Sequence, residues 1–258
     1  MGRSNLLDEG GYLKVSGQAL NEIETGQRGN FMGRFADANA IPSEDWRVRI
    51  TLPPNSNFAF MNNAEGLNQW LSADRAIKGV VFPYTPQVTI THNARYSEQA
   101  LTHNNYKNYS YEGSDISAIS IAGVFTCQNE YEALYLMSSI QFLRACTKMF
   151  FGAGDPKAGT PPTIVRLSGY GAHYMPDINC VVTQVAHTMP DDCDYIEYNG
   201  NGGNIGRMPV HSTLTVVLQP VVSRRRQRDK MRLDDFVKGN YVSGPYGEPR
   251  GSNDGGVI

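Results

Sequence analysis

No two of the four cysteines stand at C-x-x-C spacing, and Cys127, Cys146, Cys180 and Cys193 have no histidine at metal-ligand spacing. Zinc binding and dithiol chemistry therefore lack a sequence basis, and these residues read as small buried hydrophobes. Long apolar runs are missing too. None approaches the roughly 20 residues needed to cross a bilayer, and the opening MGRSNLLDEGGYLKV has no apolar core of the signal-peptide kind. The expectation is a chain without membrane insertion, made and assembled in a reducing cytoplasm. Charge of one sign is also in short supply. The 23 basic and 25 acidic residues leave a net charge of -2, which argues against a reader of DNA sequence, because phosphate neutralisation calls for a strong positive excess.

What is present favours turns and strands. The 258 residues include 26 glycines and 14 prolines, with 40% hydrophobic and 19% charged positions. This is a globular composition, long enough for one good core and too rich in turn formers for a helical bundle.

Motifs for chemistry are weak. GNGGNIG at 200–206 misses the G-x-G-x-x-G spacing, and Pro209 with a strand follows it where a nucleotide loop would open a helix. It reads as a turn. No P-loop and no H-E-x-x-H occurs. His92, His103, His173, His187 and His211 are scattered singly, with His187 and His211 in expected strands. Asp191, Asp192, Asp194 and Glu197 lack the spacing and the glycine of a calcium loop. With no ordered carboxylate pair and no nucleophile beside a base, the chain is expected not to be an enzyme, with no catalytic, metal or cofactor-binding residues and no cofactor.

Three parts are expected along the chain. Residues 1–45 carry glycines and isolated apolar anchors such as Leu13, Val15, Phe31 and Phe35, the composition of an arm that is either disordered or laid over another surface. Residues 46–222 form the folded domain, and 223–258 a basic, then Gly-rich, tail. Within the domain, Trp46, Val48, Ile50 and Leu52 alternate with Arg47, Arg49 and Thr51, which predicts a strand. Residues 58–77 are compatible with a short helical or irregular insertion. Strand character resumes over Val80 to Phe82, and again over Pro86 to Tyr96 as one long strand with a bulge. Residues 97–114 read as a polar, tyrosine-bearing link before a strand from Asp115 to Phe125.

The convincing helix starts after Asn129, with Glu132 completing a capping box and Arg144 and Lys148 facing the negative end of the dipole; Gly152 is expected to close it. Ala133, Leu136, Met137, Ile140 and Leu143 give it a stripe to lay on a sheet. Further strands are expected near Thr163 to Ser168, Ile178 to His187 and Val210 to Gln219, with a hairpin connection through Tyr198 to Pro209.

The tail opens with SRRRQRDKMR. Its Arg224, Arg225 and Arg226, and the acidic Asp191, Asp192 and Asp194, are candidate subunit-interface residues, because head-to-tail contact between identical copies would bring the two signs together.

Ordered motifs across roughly residues 46–225, namely DWRVRI, FPYTP, HNNYKNY, the FLRACTKMFFG helix end, GTPP and PDDCDYI, resemble the baseplate tail-tube junction (tube initiator) proteins of T-even-like contractile-tailed bacteriophages. The resemblance implies a mainly β fold with one packed α-helix (α+β), a tail-tube-like β-sandwich or barrel protomer forming a hexameric ring, with extended N- and C-terminal arms. It implies a structural virion protein assembled in the host cytoplasm: an adaptor that joins the baseplate hub to the tail tube and templates tube polymerisation around the DNA channel used for genome ejection. Partners would be five further copies, baseplate hub proteins, the tail-tube protein or a second junction ring, and the tape-measure protein, with DNA only in transit. A lumen for sliding DNA should avoid dense Lys and Arg, so the 224–232 basic run is expected outside it. Two rivals stand beside this reading. One is the major tail-tube protein of a contractile tail or injection machine. The other is a β-sandwich receptor- or carbohydrate-binding module using Tyr106, Tyr109 and Tyr111.

Overall fold

The computed structural model describes residues 47–53, 56, 71, 79–171, 174–199 and 205–239. The expected arm over 1–45, Trp46, His173, the 200–204 tip, the tail beyond 239 and most of the 58–77 insertion lie outside these residues. Leu71, from that insertion, is buried.

The protein is mainly β with few helices. Seven antiparallel strands form one sheet in the order β2-β1-β7-β8-β11-β6-β3, where β1 is Arg49–Thr51, β2 Gly79–Val81, β3 Gln87–Thr89, β6 Ile119–Thr126, β7 Val165–Gly169, β8 Met175–Thr188 and β11 His211–Pro220. Two hairpins stand apart from it, β4 (His92–Gln99) with β5 (Asn108–Ile116) and β9 (Tyr195–Asn199) with β10 (Ile205–Pro209).

Period-two patterning places the core on one face. Val48, Ile50 and Leu52 are buried while Arg49 and Thr51 between them are half-buried. In β11, Leu214, Val216 and Leu218 are fully buried and pair with Gly123, Ile121 and Ile119 of β6, and Val182 of β8 faces the same way. Each such side chain contributes roughly 1.5–3 kcal/mol by leaving water. Gly123 is obligatory here, because a Cβ would run into the Phe82 ring, itself tilted against Phe125 with centroids 5.7 Å apart.

Helix α1 (Glu130–Cys146) covers this face, packing on β2, β8 and β9. Its start follows the expected box: Asn129 Oδ1 accepts from Glu132 N–H at 3.0 Å. The buried Glu132 carboxylate accepts from Gln128 N–H at 2.7 Å and from Asn129 Nδ2 at 3.2 Å. The end differs from expectation. The helix stops at Cys146, capped by Thr147, whose Oγ1 donates to Arg144 O, so Lys148 lies beyond it; Gly152, at φ 109°, belongs to a later turn. The buried surface is also wider than a stripe. Leu134, Tyr135, Ser138, Ser139 and Phe142 join Ala133, Leu136, Ile140 and Leu143, and the two serines hide their hydroxyls on the carbonyls of Leu134 and Tyr135. Met137 is half-buried.

Other expectations are corrected. Among the described residues, the layer over the seven-stranded sheet is this helix with β9 beside it. The long strand over 86–96 is two strands: β3 stays in the main sheet and β4 leaves it. The supposed link over 97–114 is largely the β4–β5 hairpin, and the strand over 115–125 is broken between Ile116 and Ile119. The basic run is helical: α2 spans Arg224–Lys230, with Ser223 Oγ accepting from Arg226 N–H, and α3 spans Leu233–Val237.

Candidate assembly surfaces

The face of the sheet opposite α1 is built from the alternate residues of the same strands. Cross-strand register lines them up in rows: Thr188, Thr213 and Val124; Ala186, Thr215, Ala122 and Gln87; Gln184, Val217, Ser120 and Thr89. These are half-buried to exposed and uncharged. Charge on this face is confined to the far side of the sheet, where Arg166 stands between Thr51 and Asn179, and Arg49 is opposite Ser168.

The two ends of the sheet differ. At β2, the Tyr135 hydroxyl of α1 accepts from Val81 N–H at 2.9 Å and donates to Val81 C=O at 3.0 Å. A side chain thereby occupies the backbone groups that a further strand would use. At the other end β3 is a short edge of exposed and half-exposed residues, and its pairing to β6 reaches only Ser120 to Ala122.

The β4–β5 hairpin is exposed on both faces along nearly its whole length. A bulge between Arg95 and Tyr96 resets the register so that Tyr111 faces Tyr96 and Tyr109 faces Glu98. One side of the ribbon thus carries Tyr96, Tyr109 and Tyr111, exposed by 58%, 63% and 60%. The Tyr96 and Tyr111 rings meet edge to face at 5.6 Å, and Glu98 binds Lys107. Tyr106 stands at 81% exposure near the tip. An isolated two-stranded ribbon is marginal in water, so this one needs a surface to lie on.

The candidate interface residues fall at opposite ends of β11. Asp191, Asp192 and Asp194 occupy the exposed turn after β8, where Val210 N–H donates to Asp194 C=O at 2.8 Å, beside the start of β11. Arg224, Arg225 and Arg226 are on α2, just past the strand's end at Pro220; Arg224 and Arg225 are exposed and Arg226 half-buried. Ten residues of strand separate the clusters by about 30 Å, so the fold keeps these opposite charges apart within one chain. On α2, Arg225 lies 3.8 Å and Arg228 2.6 Å from Asp229. These exposed contacts are worth little to stability.

No group of three or more His, Cys, Asp or Glu among the described residues could hold a metal ion. The thiols of Cys127, Cys146 and Cys180 are pushed up to about 12 by burial. Cys193 departs from the expected pattern: it is half-buried in the acidic turn, with Sγ near the carbonyls of Pro190 and His211. His187 lies in β8 as expected; desolvation first, and the Arg144 charge second, hold it below its ordinary 6.5. No described helix is long and apolar enough to cross a membrane.

The sequence pattern missed the Tyr135 seal and the hairpin platform. Tyr135 looks like one more core aromatic, and a ribbon wet on both faces carries no apolar alternation. No family model and no curated protein matches the chain.

Proposed function

We propose that this chain is a structural virion protein that assembles, six copies to a ring, into the adaptor between a phage baseplate hub and its tail tube, and that the ring templates tube growth around the DNA channel. The motifs from DWRVRI to PDDCDYI carry the identity of the assembly. The structural observation that carries self-assembly is the β4–β5 hairpin, exposed on both faces and therefore incomplete in one chain. The β2 end is occupied by Tyr135, which leaves the β3 edge and this hairpin, among the described residues, as strand surfaces suited to joining neighbours. The uncharged rows on β8, β11, β6 and β3 suit a lumen wall, since neutral hydroxyls, methyls and carboxamides give phosphates no charge to bind tightly. The arginines of α2 lie off those rows.

The acidic turn and the basic helix, at opposite ends of β11, suit head-to-tail contact, in which Asp191, Asp192 and Asp194 of one copy meet Arg224, Arg225 and Arg226 of another. The hub, the tube or a second junction ring, and the tape-measure protein are the partners this role requires, in a particle assembled in the host cytoplasm. Electron microscopy of the purified chain, alone and with hub and tube proteins, tests the reading. Single rings that form on the hub support it, whereas long tubes from the chain alone favour the major tube protein. Dispersed monomers that bind glycans through the tyrosine side of the hairpin, the observation that favours the receptor module, would replace it.

A further inference from the structure

The C-terminal end of α1 carries an open cavity of about 440 Å³. Its floor is the buried Phe150, which is held in place: Lys157 lies over the ring, 5.6 Å from its centroid, and backbone bonds to Gly159 and Thr160 close the loop that follows. On this fixed floor Met149 and Phe151 stand in water, exposed by 53% and 73%. Arg144 and Lys148, both exposed, form the rim, while the one acid of the lining, Asp155, accepts from Lys157 N–H at 2.8 Å. Neither rim cation forms an ion pair among the described residues. Thr147 N–H donates to Arg144 C=O and Lys148 N–H to Ala145 C=O, so the backbone keeps turning and sets the two cations one turn apart, about 6 Å along the axis. Two cations above a thioether and a phenyl ring ask for aromatic faces, which attract positive charge and pack on both groups.

The β4–β5 hairpin offers such faces at that spacing. Tyr109 and Tyr111 are two apart on β5, so they leave one side of the ribbon about 7 Å from each other, with Tyr96 opposite Tyr111. Over 92–116 the ribbon holds Glu98, Glu112 and Asp115 against Arg95 and Lys107, a slight negative balance facing the positive one of the groove. Within one chain the two surfaces stand apart. The hairpin leaves the sheet beside Ile119, the partner of Leu218, whereas Arg144 acts on His187, the partner of Leu214. Four residues of β11, about 13 Å, separate those rows.

We propose that the tyrosine side of the hairpin of one copy lies across the α1 groove of a second copy, with the rings of Tyr109 and Tyr111 under Arg144 and Lys148 and against Met149 and Phe151. Hairpin and groove are different surfaces, so the contact is heterologous and passes from copy to copy instead of closing a dimer. It rests on the reading that the hairpin joins neighbours in a ring, and it names the surface on which the hairpin comes to lie.

The test uses the full-length chain with Tyr96 replaced by the photoreactive p-benzoylphenylalanine, mixed in equal parts as nitrogen-15-labelled and unlabelled protein and assembled with hub proteins. The expected result is crosslinks from position 96 to residues 144–151 that join heavy to light chains. K148M should lower their yield by about fivefold and K148R should keep it, because a guanidinium serves a ring face as an ammonium does. Y109F with Y111F should also keep the yield, and Y109L with Y111L should lose it, which separates ring faces from hydroxyls. All these positions are exposed, so unaltered thermal unfolding separates lost docking from lost fold. Crosslinks within one chain, to the hub, or to another segment overturn the proposal, as does a yield indifferent to K148M. Rings that form without the 96-to-groove crosslink overturn it while leaving the ring reading standing; the absence of rings overturns the ring reading and this contact with it.

Discussion

At the scale of single residues, burial decides which groups react. Cys127, Cys146 and Cys180 are buried, with thiols raised to about 12, whereas Cys193 is partly open. An alkylating reagent at neutral pH should modify Cys193 alone in the native protein, and the other three only after denaturant is added, as read by intact mass. His187 gives a pH dependence. Its folded-state affinity for a proton is lowered by desolvation and by Arg144, and its buried Nε2 has no hydrogen-bond partner among the described residues. The unfolded chain therefore takes up the proton first as pH falls below 6.5, and stability is lost on the acid side of that value. Urea midpoints at about pH 7.5 and about pH 5.5 should differ, and H187Q should shrink that difference. Gly123 lies under the Phe82 ring with no space for a methyl group. G123V should cost about 2 kcal/mol or more through overpacking, measured by denaturant unfolding.

At the scale of elements, the helix and the sheet depend on a few polar contacts. N129A removes the acceptor for Glu132 N–H and loosens the Glu132 carboxylate, for an expected loss of ~1 kcal/mol. Y135F keeps the ring but strips both bonds from the backbone of Val81. It should cost about 2 kcal/mol and open the β2 edge, seen as increased thioflavin binding on incubation. Legibility in the sequence follows the same physics. β1, β7, β8 and β11 could be read from alternation because one of their faces is dry. The start of α1 was visible because Asn129 and Glu132 form a local code. The first half of β4 was read as strand, but its partner β5 was hidden because Asn108, Ser110 and Glu112 alternate with tyrosines that are as exposed as they are. α2 was concealed by its own arginines, which look like a charge run in any conformation, and the end of α1 was misplaced because Thr147 stops it before the glycine does.

At the scale of the whole molecule, separation of charge is the testable feature. Reversing Arg224, Arg225 and Arg226 to glutamate should weaken association of copies, and further reversal of Asp191 and Asp192 to lysine should restore it, by sedimentation velocity at low and high salt. Because both clusters are largely exposed, with only Arg226 half-buried, the parent association should itself fall as salt rises. The candidate residues could be named from their signs alone, but only the register of β11 with β8 reveals that they occupy opposite poles. The proposed ring and its contacts with hub and tube have no counterpart in local patterning, since a single chain's periodicity records its own core and not its neighbours.

The strand order has a consequence for how the chain is made. β11 lies between β8 and β6, so the strand that unites β2-β1-β7-β8 with β6-β3 is the last of the sheet to leave the ribosome. Before residues 211–220 emerge the nascent protein holds two unjoined half-sheets, and a polypeptide cut short by premature termination has no way to complete its interior. Quality control of this fold therefore falls on its final strand, and a chain that stops short of it is left with an open apolar face.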